Sequence, residues 1–118
     1  MPLDKTIHNG LTVLSISGSI DSQTAPALQQ QILAEVKDLD RVVVEMKGVD
    51  YMSSAGLRML LMLYRQVTAR HGRVTLVGVS EEIRDVMSHT GFLKFFEVAD
   101  SLDQLGLEPA GAKAEVVS

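Results

Sequence analysis

The sequence predicts a single α/β domain on a mixed sheet, with an N-terminal antiparallel hairpin followed by strand-helix units. Three observations carry this expectation. Alternating apolar and polar residues flank Asn9-Gly10, a dipeptide suited to a tight hairpin turn. Val42-Val43-Val44 is a β-branched run of the kind buried on both faces of a parallel sheet. Between the strand-like runs lie stretches in which apolar residues recur every three or four positions.

Taken in order, Ile7-His8 and Leu11 to Ser17 form the hairpin. After Gly18-Ser19-Ile20-Asp21-Ser22 comes a first helix, with Ala25, Leu28, Ile32, Leu33 and Val36 on one stripe and Pro26 acceptable in its first turn. The run Val42 to Met46 is a buried strand, and Gly48 to Met52 carries the chain to Ser53-Ser54. A second helix runs from Ser54 to His71, with Leu57, Leu60, Leu61, Tyr64, Val67 and Thr68 as its stripe, widened by Ala55, Met59, Met62 and Leu63. Val74 to Val77 is a further strand, and Ser80 caps a third helix from Glu81 to Thr90 that Gly91 closes. Phe95 to Val98 returns to strand, and Ser101 with Gln104 has capping-box spacing for a short last helix. The order is β-β-α-β-α-β-α-β-α. This places one domain over residues 1–105 and a mobile tail over 106–118.

Composition excludes several function classes. At 118 residues with 46% hydrophobic content, the chain suffices for one core. Fifteen acidic against eleven basic residues give a net charge of −4, and the basic residues form no stripe, so neither nucleic acid nor an anionic membrane is an expected ligand. The absence of cysteine removes disulfides and thiolate metal sites. His8, His71 and His89 lack ligand spacing, so no metal or cofactor is expected. Met1-Pro2-Leu3-Asp4-Lys5 does not read as a secretory signal, and the expected location is the cytoplasm.

The chemistry concentrates where the buried strand turns into the second helix. The first turn of a helix has unpaired N–H groups and a partial positive charge, so Ser53 and Ser54 can cap it, and a phosphate there is tolerated. Arg58, four residues after Ser54, shares its helical face and can meet a phosphate or a partner carboxylate, the plainer reading being a solvated surface arginine. An enzyme built on Ser54 would need an activating histidine, and Gly-x-Ser-x-Gly is absent. A phosphoryl receiver would need an acidic cluster that Asp50 alone does not supply, and no P-loop or Gly-x-Gly-x-x-Gly occurs. The six methionines fall partly within the apolar stripes, where core filling is the expected use, with Met52 and Met87 as candidates for an interface.

Asp50-Tyr51-Met52-Ser53-Ser54-Ala55-Gly56-Leu57 resembles the signature of STAS domains in bacterial anti-sigma factor antagonists. Gly18-Ser19-Ile20-Asp21 is similar to the family's loop after the second strand, and Gly91-Phe92 to the element after its third helix. The resemblance implies that the unphosphorylated chain binds an anti-sigma factor with serine kinase activity and frees the sigma factor. Phosphorylation ends binding and a serine phosphatase resets the switch. By position the phospho-acceptor is the serine two residues before the glycine, here Ser54. Many members carry aspartate immediately before the acceptor; Ser53 stands there instead, as a cap or a second target. The implied partner-binding residues are Asp21, Ser53, Ser54, Gly56 and Arg58, with no catalytic residue. Asp21 also has the plainer reading of an acid stabilising the start of the first helix. The alternative within the same fold is a STAS subunit of a signalling scaffold or lipid-transport complex, without sigma factor control.

Overall fold

The computed structural model describes residues 3–8 and 10–102. The elements are β1 (Leu3–His8), β2 (Leu11–Ile20), α1 (Ala25–Val36), β3 (Arg41–Met52), α2 (Ser54–Thr68), β4 (Arg73–Val77), α3 (Glu81–Thr90), a 3₁₀ turn (Leu93–Phe95) and β5 (Glu97–Ala99). They build a five-stranded sheet in the order β1-β2-β3-β4-β5. β1 and β2 pair antiparallel from Leu3 opposite Ile16 to His8 opposite Leu11, with Gly10 in the turn and Asn9 outside the described residues. The remaining pairs are parallel, each joined through a helix, because parallel neighbours need a crossover.

The main core lies between the sheet and the helices. Leu14, Ile16 and Ile20 of β2, Val42, Val44 and Met46 of β3, and Val74 and Leu76 of β4 face Leu28 and Ile32 of α1 and Leu60, Leu63 and Val67 of α2. Each fully buried aliphatic chain contributes about 1.5–3 kcal/mol. On the opposite face Val13, Val43 and Val77 form a smaller buried cluster, against which Leu11, Ala99 and Leu102 pack. Two polar pairs also bridge the strands, Ser15 Oγ donating to Glu45 at 2.8 Å and Thr75 Oγ1 to Glu97 at 3.1 Å. The Arg70 guanidinium fastens α2 to the end of α1 by donating to the carbonyls of Val36 at 2.6 Å and Leu39 at 2.9 Å.

Several expectations need correction. Phe95-Phe96 is not strand: a 3₁₀ turn holds Phe95, with both rings packed on Tyr64 at centroid distances of 5.3 and 5.6 Å, and pairing begins only at Glu97. Ring packing there outweighs β propensity. Both β2 and β3 run longer than expected, through register irregularities at Ser15/Ser17 and Gly18/Ser19. The second helix ends at Thr68, not His71, and its buried side centres on Leu57, Met59, Leu60, Leu63 and Val67, leaving Met62 exposed. Met52 and Met87 are core residues, 8% and 0% exposed, and not interface candidates. The expected last helix beyond Leu102 and the tail over 106–118 lie outside the described residues.

Candidate functional site

The site forms at the carboxyl ends of β2 and β3, the edge where open α/β sheets ordinarily present their binding groups. Gly18 is in the left-handed region at φ +83, where an L side chain is strained, and its turn coincides with the register irregularity between Gly18 and Ser19. Beyond it Ile20 drops into the core, 1% exposed, and its carbonyl accepts the backbone N–H of Ser53 at 2.9 Å. That bond ties the loop carrying Asp21 to the residue that starts α2.

Asp21 is held within its own loop. Its Oδ1 accepts the backbone N–H of Gln23 at 2.9 Å and of Thr24 at 3.1 Å. Thr24 Oγ1 reciprocates, accepting the Asp21 N–H at 2.9 Å and donating to the Ser19 carbonyl at 2.9 Å. These N–H donors, that of Thr24 foremost and then that of Gln23, hold the Asp21 carboxyl below its ordinary value, so it is a carboxylate at neutral pH. The carboxylate thus orders the loop ahead of α1, whose N-cap is Thr24 and whose first turn carries no acid.

The two serines are not equivalent. Ser53 is the N-cap of α2, extended at φ −86 and ψ 179, half-buried, with Oγ accepting the Ala55 N–H at 3.2 Å and its carbonyl accepting Leu57 N–H at 3.1 Å. Ser54 is the first helical residue, exposed, and its hydroxyl makes no hydrogen bond among the described residues. One serine is engaged in structure and its neighbour is free.

Gly56 is buried where α2 meets the strand ends. A Cβ there would stand 2.6 Å from Met52 Cγ and 2.9 Å from Ile20 Cγ2, closer than atoms pack, so this glycine permits close approach of helix and sheet. Arg58 is exposed one turn along α2 from Ser54. It lines a groove of about 380 Å³ between α1 and α2 together with Pro26, Gln29, Gln30 and Ala55. Asp21, Ser53, Ser54, Gly56 and Arg58 thus belong to one end of the sheet, Asp21 through the Ile20–Ser53 bond and the others along the first turns of α2.

Tyr51 was not anticipated. It is 55% exposed, three residues before Ser54, beside Ser19 in the strand register. Strict alternation would put only one of Asp50 and Tyr51 outward, but both are exposed where β3 is irregular. The signal available in the sequence was an aromatic residue next to the polar Ser-Ser pair.

No imidazole is placed to activate Ser54 among the described residues. His8 pairs with Leu11 at the far end of β2, His71 follows the C-terminus of α2, and His89 lies in the last turn of α3. With 15 residues, α2 alone separates its two ends by about 22 Å at 1.5 Å per residue. Among the described residues no helix is long and apolar enough to cross a membrane.

A five-stranded mixed sheet in which β3 turns directly into a capped helix is the architecture of a STAS domain: the STAS domain model matches residues 2–105, and the chain belongs to that family. Its relatives place it among anti-sigma factor antagonists. It is 34% identical over 94 residues to BtrV of Bordetella bronchiseptica, an anti-sigma factor antagonist by description, covering 79% of this chain and 81% of that one. A crystal structure of an anti-sigma factor antagonist from Mycobacterium paratuberculosis matches with a TM-score of 0.77 at 33% identity, over 86% of this chain and 87% of that one. The Bacillus protein SpoIIAA in its unphosphorylated form shares the fold, with a TM-score of 0.69 at 17% identity over 89% and 94% of the two chains, and that protein is also known in a phosphorylated form.

Proposed function

We propose that this chain is a cytoplasmic anti-sigma factor antagonist whose unmodified form binds an anti-sigma factor with serine kinase activity, and that phosphorylation of Ser54 switches the binding off. A serine phosphatase restores the binding form. The observation that carries this reading is the division of labour between the serines: Ser53 Oγ is engaged at 3.2 Å as the helix cap, whereas Ser54 is exposed and its hydroxyl has no partner among the described residues. In the transfer the Ser54 oxygen bonds the γ-phosphorus of ATP as the bond to ADP breaks, and the hydroxyl proton passes to the kinase's base. On this reading the chain contributes an accessible acceptor, the kinase supplies the catalysis, and the chain acts as a binding protein.

The physical effect follows from where the charge lands. Phosphate adds about 1.5 to 2 negative charges and three acceptor oxygens. At the N-terminus of α2 it meets free N–H groups, so the fold accommodates it. Against an unmatched partner surface the same charge costs several kcal/mol, and each 1.4 kcal/mol weakens binding about tenfold. Asp21, joined to the mouth of α2 through Ile20 and Ser53, adds a second fixed carboxylate for the partner to recognise.

The test is phosphate transfer. The anti-sigma factor kinases encoded in the source genome, purified singly and incubated with this chain and ATP, should include one that transfers a single phosphate, mapped by peptide mass spectrometry to Ser54 and lost in Ser54→Ala. Phosphate confined to Ser53, or undiminished in Ser54→Ala, contradicts the assignment.

A further inference from the structure

Arg58 is exposed and, among the described residues, forms neither a hydrogen bond nor an ion pair. Other arginines are held: Arg70 by the carbonyls of Val36 and Leu39, Arg73 by Glu97, Arg84 by Asp100. Among the groove-lining residues between α1 and α2, Arg58 alone is charged, and the α1 wall opposite offers the neutral amides of Gln29 and Gln30.

Helix geometry directs this free cation toward Ser54. Cα–Cβ bonds tilt toward the helix N-terminus, so a long side chain covers the turn before its own Cα, and for Arg58 that turn contains Ser54. An anion four residues N-terminal to a cation is the favourable order for such a pair. No acidic residue occupies the first turn of α2 to compete for the guanidinium. The nearby Asp21 carboxylate already accepts two backbone N–H groups of its own loop.

We propose that Arg58 is the intrachain counter-ion of a phosphate on Ser54, so that modification withdraws a basic contact from the docking surface as well as adding a dianion. This rests on the reading of Ser54 as phospho-acceptor. In the unmodified chain the guanidinium and the groove amides are open to an aspartate or glutamate of the partner, a bidentate pairing that arginine suits. In the modified chain the phosphate, tethered one turn away, occupies the guanidinium at high effective concentration. The partner then loses an attractive contact and meets a repulsive one, the two components from which a sharp specificity change is built.

The decisive experiment needs no partner. The chain is produced with phosphoserine inserted at position 54 during translation, and its phosphorus resonance is titrated with pH in wild type, Arg58→Ala and Arg58→Lys, amide spectra confirming that each is folded. A guanidinium partner lowers the second pKa of the phosphate by about 0.3 relative to Arg58→Ala, the scale of an exposed pair one turn apart, with Arg58→Lys between. Equal values in all three overturn the proposal. A second readout is the affinity of unmodified and phosphorylated chains for the anti-sigma factor kinase that modifies Ser54. The ratio of the two should shrink about tenfold in Arg58→Ala. If the ratio is as large without Arg58, the counter-ion role fails while the switch stands. If phosphate on Ser54 leaves wild-type affinity unchanged, the switch reading fails and this proposal with it.

Discussion

Substituting Gly56 tests the packing that positions the site. A methyl group there would sit 2.6 Å from Met52 Cγ and 2.9 Å from Ile20 Cγ2, with Met52 8% and Ile20 1% exposed. Met52 can move its flexible chain, but Ile20 is β-branched, stiff at χ1 and enclosed. Removing a helical glycine favours the folded state by up to about 1 kcal/mol, whereas overpacking a close-packed core costs about 1–3 kcal/mol. Gly56→Ala therefore nets a loss of up to about 2 kcal/mol. Gly56→Val gains less propensity and brings two further carbons to the clash, for a loss of about 2–3 kcal/mol. Urea unfolding monitored by circular dichroism measures it: with a slope of about 1–1.5 kcal/mol per molar, the midpoint of Gly56→Val falls by roughly 2 M. Because the displaced Ile20 precedes Asp21 and accepts the Ser53 N–H, its amide resonances and theirs should shift together. An unchanged or raised midpoint would show that helix propensity dominates at this position and that the contact is not tight.

Three further outcomes follow from the site geometry. Ser53→Ala removes the α2 cap and lowers stability by about 1 kcal/mol in the same urea assay, yet leaves Ser54 a kinase substrate; loss of phosphorylation with an intact fold would give Ser53 a larger role than capping. The Asp21 carboxyl is held below its ordinary value of 3.8 by N–H donors, so its contribution is present above that value and disappears as pH falls through the lower folded value. Wild type should thus be more stable than Asp21→Ala at pH 7, the gap narrowing in acid below 3.8, and a gap independent of pH would refute the carboxylate's part in the loop. Tyr51→Ala, at a 55% exposed ring, should change stability by no more than about 0.5 kcal/mol while weakening binding to the anti-sigma factor about tenfold, and undiminished affinity in a calorimetric titration would remove Tyr51 from the interface.

Much of the fold was legible because local signals and tertiary structure agreed. Ser80 and Gly91 bound α3 where capping chemistry puts them, and Val42 to Val44 lie fully buried in β3 as their branching suggests. What escaped were features decided by contacts distant in sequence. Phe95 and Phe96 have strong strand propensity, but Tyr64, some thirty residues earlier, supplies their packing surface and holds Phe95 in a 3₁₀ turn. Periodicity found the apolar side of α2 but did not centre it, since Met62 has the same hydrophobicity as the buried Met59 and only the position of the sheet distinguishes them. At the site, the polar turn and helix mouth stood out, but the choice between adjacent hydroxyls depends on a hydrogen bond from Ala55 that no pattern encodes. Tyr51 was hidden for a similar reason, its outward direction being set by an irregular register.

The central claim is that charge at position 54 governs partner binding, and one titration series tests it. The anti-sigma factor kinase that modifies Ser54 is titrated calorimetrically with wild type, Ser54→Ala, Ser54→Asp and the Ser54-phosphorylated chain, all shown to be folded. Alanine should bind about as tightly as unmodified wild type. Aspartate, carrying about one charge against the 1.5 to 2 of phosphate, should bind more weakly, and the phosphorylated chain weakest, by a few hundredfold for a cost of about 3–4 kcal/mol. Equal affinities for the alanine and aspartate variants, or an unweakened phosphorylated chain, would contradict electrostatic exclusion at the mouth of α2.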